Sequence, residues 1–200
     1  MHNCGMKKLA LGVLLIALTV VGVGADEVDY AALYGKGLTF AAFVESAGSR
    51  ADSWRRKSID AAIGEDSIAR VRALPAQRRM LVIAEATCSD SVATLPYLAK
   101  LVEQSQGKLD LRVVNSTTGR AVMEAHRTPD GRAATPTIVV LGVDGEIVGA
   151  WSERPAALQT WYIDQKSVLS RAELMAQKTN WYAEDGGKSA IAEVVAILAK

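Results

Sequence analysis

The chain has 200 residues, half of them hydrophobic and 22% charged, an ordinary globular composition for one domain with a sizeable core. Its 23 basic and 22 acidic residues leave a net charge of +1, which removes the electrostatic case for a nucleic-acid partner. There is no internal repeat and no low-complexity tract.

The first 25 residues read as a secretory signal, with Lys7 and Lys8 as the basic start, an uncharged apolar run from Leu9 to Val23, and small residues through Ala25. The expected cleavage point is after Ala25, which makes the mature protein periplasmic or secreted and free of the membrane. A run of about fifteen apolar residues is short for a membrane span, and an uncleaved anchor is the alternative. Cleavage removes both lysines and no acid, leaving 21 basic against 22 acidic residues. It also removes Cys4, so Cys88 is then a lone thiol in an oxidising compartment.

Residues 26–37 mix small and polar side chains and read as a loose lead-in, so the domain is taken as 38–200. Thr39 caps a short helix through Ala47. Ser49 to Ile63 forms a second helix with Trp54 and Ile59 inward, and Asp66 to Leu74 a third, stopped by Pro75. These helices are expected over one end of a sheet. The basic stretch from Arg50 to Arg79 reads first as a solvated face. Arg79 to Ala86 is an apolar run that suits a central strand buried on both faces. Ser89 to Gln106 is a helix with Val92, Leu95, Leu98 or Ala99, and Val102 on one side, Pro96 inside it and Gly107 ending it. Leu109 to Val114 alternates as a second strand, parallel to the first through a right-handed crossover. A turn at 115–118, a helix from Gly119 to His126 and a loop at 128–135 follow. Thr137 to Val143 and Glu146 to Trp151 form a hairpin around Asp144-Gly145. Arg154-Pro155 opens a long helix to about Thr179, Gly186-Gly187 breaks the chain, and Ser189 to Leu198 is the last helix. The core order is βαβαββα.

Between the first strand and its helix stands Thr87-Cys88-Ser89-Asp90-Ser91. A cysteine at a helix start meets free backbone N–H groups and the positive end of the macrodipole, which favour a thiolate. An inert, partly buried cysteine is the bland alternative. Asp90 disfavours a thiolate by charge and equally suits a helix start for structural reasons. Glu85 ends the strand and is expected to pair with Arg154 or another cation. His126, the one histidine of the mature chain, either faces Cys88 or is a surface residue. Cys88 and His126 are too few ligands for structural zinc, and no cofactor motif, serine-hydrolase elbow or glycine-rich phosphate loop is present. Trp54, Trp151, Trp161 and Trp181 are expected in the core.

That order, with a cysteine after the first strand, resembles the thioredoxin fold, an α/β architecture with a central mixed sheet flanked by helices and here extended at both ends. Cys88 stands at the family's attacking cysteine, Pro96 at its helix proline, and Thr135-Pro136-Thr137 resembles its cis-proline segment. A subgroup that writes E-x-W-C-G-D and W-x-x-R-P is closer, through Glu85 to Asp90, Trp151 to Pro155, Gln159 and the pattern Tyr182, Gly187, Ile191, Glu193. Departures bear on function: Ser91 replaces the resolving cysteine, Thr87 the motif tryptophan and Ser89 the glycine. Asp90 stands where thioredoxins have proline, and Val82 where they keep a buried acid. The resemblance then implies one-thiol exchange at Cys88, with Thr87, Ser89, Asp90, Ser91, Thr135 and Pro136 shaping the site and an external thiol, glutathione or another, resolving the mixed disulfide. Ser91 is expected to donate a hydrogen bond to the sulfur. The competing reading is a binding or assembly module that kept the fold and lost the redox chemistry.

Overall fold

The structure, a computed structural model, describes Met1 and residues 28–200; the expected signal segment and its cleavage point lie outside the described residues. Among the described residues no helix is long and apolar enough to cross a membrane.

Four strands, β1 (Arg78–Ile83), β2 (Leu109–Val114), β3 (Thr137–Leu141) and β4 (Ile147–Ser152), form one sheet in the order β2-β1-β3-β4. β1 runs parallel to β2 and antiparallel to β3, and β3 and β4 form the hairpin. β1 is central and its side chains alternate between two cores. Met80 and Val82 enter one face, Leu81 and Ile83 the other, and Ile138/Val140 and Val139/Leu141 of β3 repeat the division. A strand buried on both faces needs apolar residues at successive positions, hence the continuous run from Met80 to Ala84 after the two arginines that open β1.

The helices are α1 (Tyr30–Lys36), α2 (Phe40–Ser46), α3 (Ala51–Asp60), α4 (Glu65–Arg72), α5 (Ser89–Gln104), α6 (Arg120–Ala125), α7 (Ala156–Gln165), α8 (Arg171–Asp185) and α9 (Lys188–Leu198), with a 3-10 turn at Gly48–Arg50. Residues of α2 to α5 and α9 close the larger core on one face, while α1 and α6 cover the other. The N-terminal helices therefore line both faces of the sheet rather than capping one end.

Several local expectations are corrected. The lead-in holds α1, capped by the Asp29 carboxylate, which accepts from Ala32 N at 2.8 Å. Its Tyr30, Leu33 and Tyr34 pack on the smaller core, a tertiary gain that seven weakly patterned residues do not advertise. Tyr34 donates to Asp110, and burial followed by that carboxylate pushes its phenol up to about 12. Ile59 is 78% exposed. On the larger-core side of α5, Leu101 is fully buried, whereas Val102 is only half-buried. The long helix after Pro155 is two helices, α7 and α8, parted at Lys166–Ser170. Ser170 caps α8 and Glu173 returns the bond to the Ser170 backbone, a capping box written in the sequence as Ser170-Arg171-Ala172-Glu173. Trp54 and Trp151 are buried as expected, but Trp161 and Trp181 are half-buried on α7 and α8. In the basic stretch, Arg55 pairs with Glu45 and Asp52, and Arg78 donates to Leu198 O.

Trp54 anchors α3 beneath the cysteine turn. It is fully buried, meets Phe43 edge-on at 5.3 Å between centroids, and donates from Nε1 to Ala86 O at 3.2 Å. Trp54→Ala is expected to lose about 3–5 kcal/mol of unfolding free energy in a urea titration, and Ile59→Ala, five residues on and on the wet side, within about 0.5 kcal/mol.

Candidate functional site

β1 ends at Ile83, and Ala84 to Thr87 carry the chain off the sheet to Cys88, the N-cap residue of α5. Cys88 N donates to Glu85 O at 3.0 Å and Cys88 O accepts from Val92 N at 3.0 Å, so the turn is bonded on both sides. The thiol is half-buried, and its Sγ–H donates to Thr135 O at 3.2 Å. The Thr135–Pro136 peptide is cis, and Pro136 is buried with its carbonyl accepting from Glu153 N at 2.7 Å. The helix start and the proline segment thus meet at the sulfur, with exposed Thr87 and Ser89 on either side.

Asp90 is more than a helix-start residue. It turns inward, 5% exposed, onto Lys178 of α8 and Arg154 after β4. Lys178 Nζ reaches its carboxylate at 2.9 Å and Arg154 Nε at 3.2 Å, while the Tyr182 hydroxyl donates to Oδ1 at 2.8 Å. Burial, then the Asp90 carboxylate, pushes the Tyr182 phenol far up, so its proton stays on oxygen as the donor. Lys178 also donates to Ser89 Oγ at 2.9 Å. The guanidinium of Arg154 is filled on every side: Glu153 at 2.7 Å, Gln159 Oε1 at 3.0 Å, and the Tyr162 ring 3.8 Å below.

The cluster continues outward. Arg132 grips Glu153 with two nitrogens at 3.0 and 2.6 Å and reaches Asp130 at 2.9 Å, and Lys166 closes on Asp130 at 2.9 Å. The Arg132 guanidinium, with Lys166 and Thr128 behind it, holds the Asp130 carboxyl well below the usual carboxylate range. Three carboxylates (Asp90, Asp130, Glu153) face four cations (Arg132, Arg154, Lys166, Lys178) across this cluster. Glu153 adopts a left-handed φ of 67°, unusual for a residue with a side chain, and its backbone and carboxylate bonds hold it there.

Other expected members stand elsewhere. Glu85 does not meet Arg154; its Oε1 accepts from Ser116 N at 2.8 Å and Ser116 Oγ at 2.6 Å, tying β1 to the turn after β2. Arg154 is instead saturated by Asp90 and Glu153. The His126 ring lies 3.0 Å from the Tyr30 hydroxyl, and burial lowers its pKa. Its role is in the seam between α1 and α6. Ser91 is fully buried and its Oγ has no hydrogen-bond partner among the described residues, so it does not bond the sulfur. Val82 is buried in the larger core.

The motif fragments at the C-terminus now have physical jobs. Trp151 Nε1 donates to Glu193 Oε2 at 2.6 Å, and Glu193 Oε1 accepts from Ala156 N at 2.8 Å, joining β4, α7 and α9. Gly187, at φ 77°, lies so close to the Tyr97 ring that a Cβ would overlap it. The site residues that sequence reasoning passed over are Lys178, Glu153, Arg132 and Asp130. Lys178 had one signal: it lies four residues after Leu174 and four before Tyr182, on the inward stripe of α8.

A family model described as thioredoxin matches residues 37–168, well over half of the chain. The chain belongs to the thioredoxin family. Among solved structures it is similar to a protein of unknown function from Pseudomonas aeruginosa, with a TM-score of 0.63 and 23% identity over 86% of this chain and 98% of that one. It is also similar to an HIV epitope scaffold, with a TM-score of 0.62 and 22% identity over the same shares. At those identities the two structures speak for the thioredoxin-like fold alone. No curated protein sequence matches.

Asp90→Asn keeps the shape and removes the charge that both buried cations face. It is expected to cost about 3–5 kcal/mol by equilibrium denaturation, since it leaves Lys178 and Arg154 undercompensated. Glu85→Gln, which keeps an acceptor for Ser116, is expected to cost about 1 kcal/mol in the same measurement.

Proposed function

We propose that this thioredoxin-family protein performs one-thiol thiol–disulfide exchange through Cys88, outside the cytoplasm. The observation that carries the reading is the placement of the sulfur: at the N-terminus of a 16-residue helix, half-open to solvent, and 3.2 Å from the Thr135 carbonyl. The objection raised by Asp90 is weakened, because Lys178 and Arg154 neutralise that carboxylate.

The chemistry needs no second cysteine. Cys88 loses its proton to water, and the thiolate attacks one sulfur of a disulfide. A Cys88–sulfur bond forms, the substrate S–S bond breaks, and the other sulfur leaves as a thiolate. A free thiol then attacks the mixed disulfide as its own thiolate, takes the substrate sulfur and returns Cys88 to the thiolate. One disulfide and one thiol enter, and one of each leaves. Ser91, buried where a resolving thiol would stand, makes an external thiol necessary. Partners are accordingly protein or small-molecule thiols and disulfides. Export rests on the sequence of residues 1–25.

A second reading, a binding or assembly module on the same fold, draws on Ser91 and on Val82, apolar where thioredoxins carry an acid. Thiol trapping separates the two. Alkylated extracts of the native compartment are expected to yield mixed disulfides on wild type that vanish in Cys88→Ser. Absence of adducts, with full biological activity in Cys88→Ala, would overturn the exchange reading.

A further inference from the structure

A groove of about 350 Å³ opens beside the cysteine turn. Thr87 and Ser89, the two neighbours of Cys88, form part of its wall; Arg50 and Lys57 line it from the 3-10 turn and α3, and Lys178 and Tyr182 from α8. Its volume is at the small end of ligand clefts, suited to a small molecule rather than a folded domain.

The charges are one-sided. Three cations line the groove and no carboxylate does. Lys178 is committed to Asp90. Arg55, between the other two in sequence, takes Glu45 and Asp52, while Asp60 and Asp185 stand near Tyr97 at the groove's wall without bridging to Arg50 or Lys57. Arg50 and Lys57 are therefore left without a carboxylate partner among the described residues. Ser89 Oγ accepts from Lys178, which leaves its own hydrogen free to donate into the groove. Uncompensated cations in a concave, partly walled site concentrate anions and raise their encounter rate by roughly ten-fold or more.

Cys88 itself does not line the groove but stands at its edge, between Thr87 and Ser89. We infer that the groove is an acid-recognition subsite, in which Arg50 and Lys57 take the carboxylates of a small anionic disulfide that reaches over this edge to exchange with Cys88. The inference rests on the exchange reading above and names its substrate class. It also assigns a task to the added N-terminal helix α3, which supplies Lys57, and to the turn before it, which supplies Arg50.

The test uses the full chain carrying Cys4→Ser, so that Cys88 is the one thiol, with and without Arg50→Gln/Lys57→Gln. Both residues are exposed, so the double variant leaves the core intact. Rates of reaction of reduced Cys88 are measured with glutathione disulfide, which is anionic, cystamine, which is cationic, and neutral 2,2′-dithiodipyridine. The double variant is expected to lower the glutathione disulfide to cystamine rate ratio about ten-fold, with the dithiodipyridine rate unchanged and the wild-type ratio falling as salt rises. An unchanged ratio in a protein that still reacts with dithiodipyridine would overturn the subsite alone. A Cys88 inert to all three reagents would overturn the exchange reading and the subsite with it.

Discussion

A carboxylate buried between two cations fixes this molecule. Asp90 sits in the first turn of α5 with both oxygens occupied: Oδ1 by Tyr182, Lys178 and Arg154, Oδ2 by Lys178 and Arg154. Each charge costs several kcal/mol to dehydrate, and only close opposite charge and saturated hydrogen bonding offset that cost. The three partners come from distant parts of the chain, so the offset is realised only when α8 and the segment after β4 lie against the start of α5. The cluster is a geometric specification more than a source of net stability. Arg154, locked by Asp90, Glu153, Gln159 and Tyr162, cannot shift without exposing one of them to an unpaired state.

That specification reaches the sulfur from two directions. Through Asp90 and Ser89, Lys178 fixes the residues just after Cys88. Through Glu153, whose backbone N–H bonds Pro136 O, the same cluster fixes the segment whose Thr135 carbonyl receives the thiol. The helix start and the proline segment are thus held at one spacing by one set of charges. The departures from the thioredoxin motif are coherent on this view. Asp90, where thioredoxins carry proline, is here the residue that Lys178 and Arg154 bind.

Much of the frame was legible in the sequence. The apolar run from Met80 to Ala84 required burial on both faces, the alternation in β2 marked it as a strand, and Asp144-Gly145 between two apolar stretches marked the hairpin. Cys88 was legible as a helix-start residue from its place alone. Most of the misses come from tertiary partners that local pattern announces weakly or not at all. Lys178 reads as an ordinary surface lysine until Asp90 is placed beside it. Glu85 found two donors on Ser116 rather than a cation. Ile59 lies on a helix whose core contact is already supplied by Trp54. The Ser170–Glu173 capping box was a local signal, and it outweighed the helical character of the residues before it.

The most direct measurement is a double-mutant cycle at the heart of the cluster, with Asp90→Asn, Lys178→Met and both together, each unfolded by denaturant. If one charge pair sets the position of α8, the double variant loses at least about 2 kcal/mol less than the sum of the singles, because removing Lys178 relieves the cation left stranded by Asp90→Asn. Losses that add to within about 0.5 kcal/mol would show the two residues to be independent and would contradict the account.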